Sequence, residues 1–193
     1  MRLILMMILP WLLVACDAHP EEDFYRLAEI DSQINAELVG VATDTGSERT
    51  VVRQFQYGDV DFLGNKEVVV TEQYIHKKDE FDLEVGTHAV AVLPLSWYHQ
   101  TLDDMWLVGD QTACYGRQTE DFNNSELKRM LEVHDLGYAI GCPLTDDGGG
   151  PIGILSVVFT QDQTKNKIKI VDRVRTSSEK IEKLLVQKRD IRN

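Results

Sequence analysis

Phe24, Leu27, Ala28, Ile30 and Ile34 recur three or four positions apart with polar residues between them. That is the period of one face of an α-helix, so residues 21–36 are predicted as an amphipathic helix that packs on a sheet. Beyond it the apolar runs shorten and become rich in β-branched residues. Residues 38–43 and 50–55 flank the turn residues Asp44-Thr45-Gly46-Ser47 and read as a hairpin. Further strands are predicted at 66–75, after Gly64-Asn65, and at 88–93, ended by Pro94, with the acidic loop 77–84 between them. Residues 95–109 contain Trp97, Tyr98 and Trp106 but follow no single period.

Asn123 or Ser125 suits a helix N-cap, Glu126 suits the positive end of the helix dipole, and Leu127, Met130, Leu131 and His134 share one face. A helix is therefore predicted to about residue 135, stopped by Gly137. Residues 138–144, the turn Thr145-Asp146-Asp147-Gly148-Gly149-Gly150 and residues 151–160 form the clearest hairpin. A closing helix of mixed charge, interrupted or entered around Thr176-Ser177-Ser178, carries Ile181, Leu184 and Leu185 as an apolar stripe. Such a stripe suits core packing or a homodimer through the C-terminal helix. The order of elements predicts an α+β domain with a single antiparallel sheet and helices on one face.

The N-terminus follows a different rule. Met1-Arg2 precedes an uncharged run from Leu3 to Ala15, interrupted by Pro10. The run is shorter than the ~20 apolar residues that cross a bilayer, but it has the length of a signal-peptide core. Its end, Leu13-Val14-Ala15-Cys16, resembles the lipobox of bacterial lipoproteins. The resemblance implies a signal peptide at 1–15, cleavage before Cys16 and acylation of that cysteine. Several acyl chains, at about 0.8 kcal/mol per buried CH₂, would anchor the chain stably. Asp17 resembles the residue that retains such lipoproteins in the inner membrane, facing the periplasm. Residues 16–22 then form the lipidated cysteine and a polar tether, and 23–193 the globular domain. An ordinary signal peptide cleaved near Ala15 or Ala18, and a retained short signal anchor, are the alternatives.

The chain has 193 residues, room for one core, and a formal net charge of −12. Its Lys and Arg residues gather mainly at 165–192, mixed with acids, and no basic stripe offers phosphate contacts, which argues against nucleic acid as a partner.

Gly141-Cys142-Pro143-Leu144, the glycine-rich turn, and Pro151-Ile152-Gly153-Ile154-Leu155-Ser156-Val157-Val158-Phe159 resemble the terminal hairpin of GAF domains, whose fold is close to that of PAS domains. In this reading Gly153 lets the strand approach a neighbouring helix, while Ile152, Ile154, Leu155 and Val157 fill the two faces. A fainter resemblance, through Thr101-Leu102-Asp103-Asp104 and the Cys-Pro pair, is to the extracytoplasmic domain of the T-even phage holin family. That family carries a full transmembrane helix near its N-terminus, which this sequence lacks.

Outside the cytoplasm a pair of thiols is expected to be oxidised, so Cys114 and Cys142 are candidates for a disulfide, with two buried free thiols as the alternative. Trp97, Tyr98, Trp106 and Tyr115 could line a small-ligand cup or belong to the core. No metal site is expected: His19, His76, His88, His99 and His134 lack ligand spacing, and the pairs Asp103-Asp104 and Asp146-Asp147 are read as solvated, with a weak calcium site as the alternative. No cofactor and no catalytic residue is assigned. The functional expectation is a lipid-anchored extracytoplasmic module that senses a small ligand or binds a membrane-protein partner. The rivals are a phage holin-like protein regulating lysis timing or exclusion, and a thiol-dependent GAF-type methionine sulfoxide reductase.

Overall fold

A computed structural model describes residues 20–60, 66–77, 92–107 and 114–192. The signal, Cys16 and residues 17–19 of the tether lie outside the described residues, and Pro20, Glu21 and Glu22 already belong to the first helix, α1 (Pro20–Thr45). Proline is at home in a first helical turn, and the acids Glu21, Glu22 and Asp23 face the positive end of the dipole. Ile30, Ile34, Leu38 and Val41 are all buried along one side of α1. Their spacing of four, four and three carries the helical stripe through residues 38–43, which are therefore helix and not the predicted strand. Gly46, at φ 69°, ends α1 by donating its N–H to the Ala42 carbonyl at 2.8 Å.

Among the described residues the sheet has six antiparallel strands in the order β3-β2-β1-β6-β5-β4. They are β1 (Arg49–Val60), β2 (Lys66–Lys77), β3 (Val92–Pro94), β4 (Tyr115–Gln118), β5 (Tyr138–Thr145) and β6 (Pro151–Phe159). Residues 50–55 lie in β1, whose partners are β2 and β6, so the predicted hairpin with 38–43 does not exist. The predicted hairpin at 138–160 is present as β5 and β6. Residues 88–91 and the loop after Lys77 fall outside the described residues.

Two apolar layers cover this sheet. On one face, Val52, Ile140, Cys142, Leu144, Leu155, Val157 and Phe159 pack against α1 and the long closing helix α4 (Lys167–Arg192). On the other, Ala139, Ile154 and Val158 pack against Tyr98, Met105, Phe122 and helix α3 (Ser125–Val133). Burial on both faces explains why 151–159 reads as an almost unbroken apolar run and not as an alternating one.

Several local expectations change. Helix α4 is continuous through Thr176, Ser177 and Ser178, because each hydroxyl finds an acceptor: Asp172 O at 2.9 Å, Glu37 Oε1 at 2.6 Å and Arg175 O at 2.8 Å. Helix α3 is capped by Asn124, whose Oδ1 accepts from Leu127 N at 2.8 Å, and it stops at Asp135, with φ 54°, before reaching Gly137. Gly153 approaches a strand and not a helix, since a Cβ there would stand 2.2 Å from the backbone oxygen of Arg53 on β1. Among the described residues no helix is long and apolar enough to cross a membrane.

Candidate functional site

The face of the sheet away from α1 and α4 carries polar side chains inside an apolar layer. Strand register builds this group. Val51 of β1, Ser156 of β6, Gly141 of β5 and Tyr115 of β4 lie in one row across four strands. A Cβ on Gly141 would stand 2.3 Å from Cε1 of Tyr115, so only glycine lets that ring lie across β5. Burial pushes the Tyr115 hydroxyl above its ordinary pKa, although Arg53, Ser156 and Arg117 act to lower it, and it stays protonated at neutral pH.

Arg53 stands two residues from Val51 on the same face, is 4% exposed, and holds its guanidinium carbon 5.7 Å from the ring centroid of Tyr98. Arg117, two residues from Tyr115, lies 5.5 Å over the Phe122 ring and pairs with Asp104 through Nη2. Its other terminal nitrogen, Nη1, is buried and has no hydrogen-bond partner among the described residues. The Thr101 hydroxyl is in the same condition. Each such group costs about 1–3 kcal/mol when left unsatisfied.

The cover over this group is the segment that the sequence left unassigned. A 3₁₀ turn (Leu95–Tyr98), the short helix α2 (His99–Leu102) and a π-helical turn (Asp103–Leu107) succeed one another there. They bury Tyr98, Thr101 and Met105 and leave Asp104 partly exposed. Single π turns recur at functional sites because they widen the backbone locally.

Of the predicted pocket aromatics, Tyr98 and Tyr115 meet here, and Trp97 packs half-buried against the same apolar layer. Trp106 lies in the π turn, with its side chain outside the described residues. Arg53, Arg117, Asp104 and Thr101 were not anticipated as a group. The available signal was Val51-x-Arg53-x-Phe55, a charge between two apolar residues at alternate positions of one strand.

Cys114 and Cys142 form a disulfide with S–S 2.05 Å and Cα–Cα 4.2 Å, fastening the start of β4 to β5. The remaining polar candidates have structural occupations. Asp103 lies 3.0 Å from Nδ1 of the exposed His99, so the two adjacent aspartates 103 and 104 serve different partners. Asp146 accepts from the N–H groups of Gly148 and Gly150 at 3.0 and 2.8 Å, which folds the glycine turn. His134 is exposed, His76 is half-buried, and His19 and His88 lie outside the described residues. Among the described residues no three His, Cys, Asp or Glu side chains converge as metal ligands. A surface cleft of about 440 Å³ is lined by Asp44, Gln163, Lys169 and Arg173, none of which belongs to the sheet-face group.

No protein-family model and no curated protein matches this sequence. Solved structures do match in shape. The blue-light absorbing form of the Thermosynechococcus elongatus PixJ GAF domain aligns with a TM-score of 0.57 at 12% identity, over 86% of this chain and 92% of that one. A phycocyanobilin-bound GAF domain from a cyanobacterial phytochrome aligns with a TM-score of 0.57 at 10% identity, over 89% and 98%. The chromophore-binding domain of Stigmatella aurantiaca phytochrome P1 aligns with a TM-score of 0.55 at 14% identity, over 88% and 62%. The chain has the fold of a GAF domain.

Proposed function

We propose that this chain is a lipid-anchored, extracytoplasmic GAF-like module that binds a small molecule and passes the signal to a membrane-protein partner without catalysing a reaction. The observation that carries the binding half is the group of Arg53, Tyr98, Tyr115 and Arg117, held in an apolar layer under the cover of residues 95–107. Within that layer Nη1 of Arg117 and the Thr101 hydroxyl are buried without a hydrogen-bond partner among the described residues, and such atoms cost stability unless something meets them. Of the similar structures, one is described as a phycocyanobilin-bound GAF domain and another as a chromophore-binding domain. For this chain the reading extends only to a small ligand with aromatic or conjugated surface, which suits the Tyr98 and Tyr115 rings.

Two observations support placement outside the cytoplasm. The run from Leu3 to Ala15 ends in the lipobox-like Leu13-Val14-Ala15-Cys16, and the disulfide suits an oxidising compartment. The test is intact-mass analysis of protein extracted from bacterial membranes. The expected mass corresponds to a chain starting at Cys16 with acyl groups attached and two hydrogens fewer for the disulfide, and Cys16→Ala moves the protein out of the membrane fraction. Full-length protein retaining Met1 in the soluble interior would overturn the placement.

A further inference from the structure

We propose that the ligand of this face is an anion, with Arg117 as its counter-charge and Asp104 as the internal competitor that occupies Arg117 when the site is empty. This inference rests on the binding reading above and assigns the chemical class of the ligand.

Arg117 sits on the edge strand β4, where its side chain is only 15% exposed. Strand side chains alternate between the two faces, and this basic one falls on the covered face and lies over Phe122. Its guanidinium is a planar fork with more donors than one carboxylate oxygen satisfies. Asp104 takes Nη2 through a single oxygen, and Nη1 is left buried without an acceptor among the described residues. A second bidentate-capable anion, a carboxylate or a phosphate, would meet both nitrogens where Asp104 meets one. The Thr101 hydroxyl, buried and without a partner, is a further neutral donor on the covering segment that also carries Asp104. The protonated Tyr115 hydroxyl adds another on the sheet side.

Asp104 itself is placed to leave. Its side chain is 37% exposed, more than twice as open as that of Arg117, and it stands in the π turn, where i→i+5 bonds replace the α-helical pattern. An anion that enters displaces the Asp104 carboxylate to water and takes its place on the guanidinium. The exchange moves the 103–107 turn, and through it the cover of the site, which gives binding a structural consequence.

Two fluorescent probes of nearly the same shape test this, anilinonaphthalene sulfonate, an anion, and phenylnaphthylamine, which is uncharged. Each is titrated into the folded, disulfide-bonded protein, with circular dichroism verifying the fold of every variant. The wild type is expected to bind both, the anion about tenfold more tightly, in line with one charge-assisted contact. Arg117→Gln removes that preference, weakening the sulfonate about tenfold more than it weakens phenylnaphthylamine. Asp104→Asn acts in the opposite direction, tightening the sulfonate about tenfold relative to the neutral probe, because it removes the competitor and keeps the guanidinium. Equal affinity for the two probes, or no gain from Asp104→Asn, overturns the anion assignment and leaves the binding reading standing. Failure of both probes to bind overturns both readings. Should Arg117→Gln not fold, the Asp104→Asn result decides alone, since that variant retains every donor of the site.

Discussion

At the scale of the residue, two glycines fix the sheet by what they lack, Gly141 on the face of Tyr115 and Gly153 at the close approach to β1. Gly153 is closed to any Cβ, because the atom in the way is the Arg53 carbonyl oxygen at 2.2 Å, and backbone on a central strand cannot give. Gly148, in the hairpin turn, would meet only the Asp146 carboxylate at 3.4 Å. Gly153→Ala is therefore expected to lower stability by about 1–3 kcal/mol, and Gly148→Ala by much less. Urea denaturation of the two variants side by side checks this, and equal midpoints would contradict the close approach. Gly141→Ala should likewise expel the Tyr115 ring from its place across β5, raising tyrosine exposure in near-ultraviolet spectra without removing the fold.

At the scale of the element, α1 and α4 are joined by a charged network as well as by their apolar stripes. Glu37 accepts from Ser177 Oγ at 2.6 Å and Arg173 Nη1 at 3.0 Å and pairs with Lys180 at 3.3 Å, while Arg173 also reaches Asp44 at 2.7 Å. Burial by itself would raise the Glu37 pKa, but the hydrogen bonds from Ser177 and Arg173 and the charge of Lys180 outweigh it and hold the carboxyl below its ordinary value. A carboxylate depressed in the folded state contributes stability that is fully present above its unfolded pKa, about 4.3, and is lost as pH falls through the lower folded value. The wild type should thus lose more melting temperature than Glu37→Gln as pH drops below about 4.5. Parallel thermal melts of the two proteins would show the difference. The Cys114–Cys142 bond acts on another element. It closes a sequence separation of 28 residues, and its removal by Cys142→Ala should cost about 3–4 kcal/mol in the chain-entropy picture. The loss should fall first on β4, the four-residue edge strand it fastens, read as faster amide exchange at 115–118 than elsewhere.

At the scale of the whole molecule, one sheet serves both apolar layers, with Leu155 facing α1 and α4 and its neighbour Ile154 facing Tyr98, Phe122 and α3. Neither layer can come apart without exposing the other's strands. Leu155→Ala, at a fully buried position, is expected to cost about 2–5 kcal/mol. Ile154→Val should cost about 0.5–1.5 kcal/mol. Both should shift the same single transition, followed by circular dichroism and by tryptophan fluorescence, and separate transitions would contradict a shared core.

What the sequence determined by itself was local. The β5–β6 hairpin, the start of α1, the capped helix α3 and the α+β class rest on turn residues, caps and short periods, whose physics acts within a few neighbours. The apolar positions of residues 38–43 fit a strand as well as a continuation of the helix, and only the packing of Leu38 and Val41 against α4 and the sheet chooses between the two. The tertiary structure alone decided the site. Asp104 and Arg117 read in sequence as solvated residues, and Arg53 is marked only by its apolar neighbours Val51 and Phe55. The three are gathered by the pairing of β1 with β6, of β6 with β5 and of β5 with β4, and by the fold of residues 95–107 back over the sheet. A charge buried at long range leaves no period along the chain, because its environment is made by strands that pair only once the fold is complete.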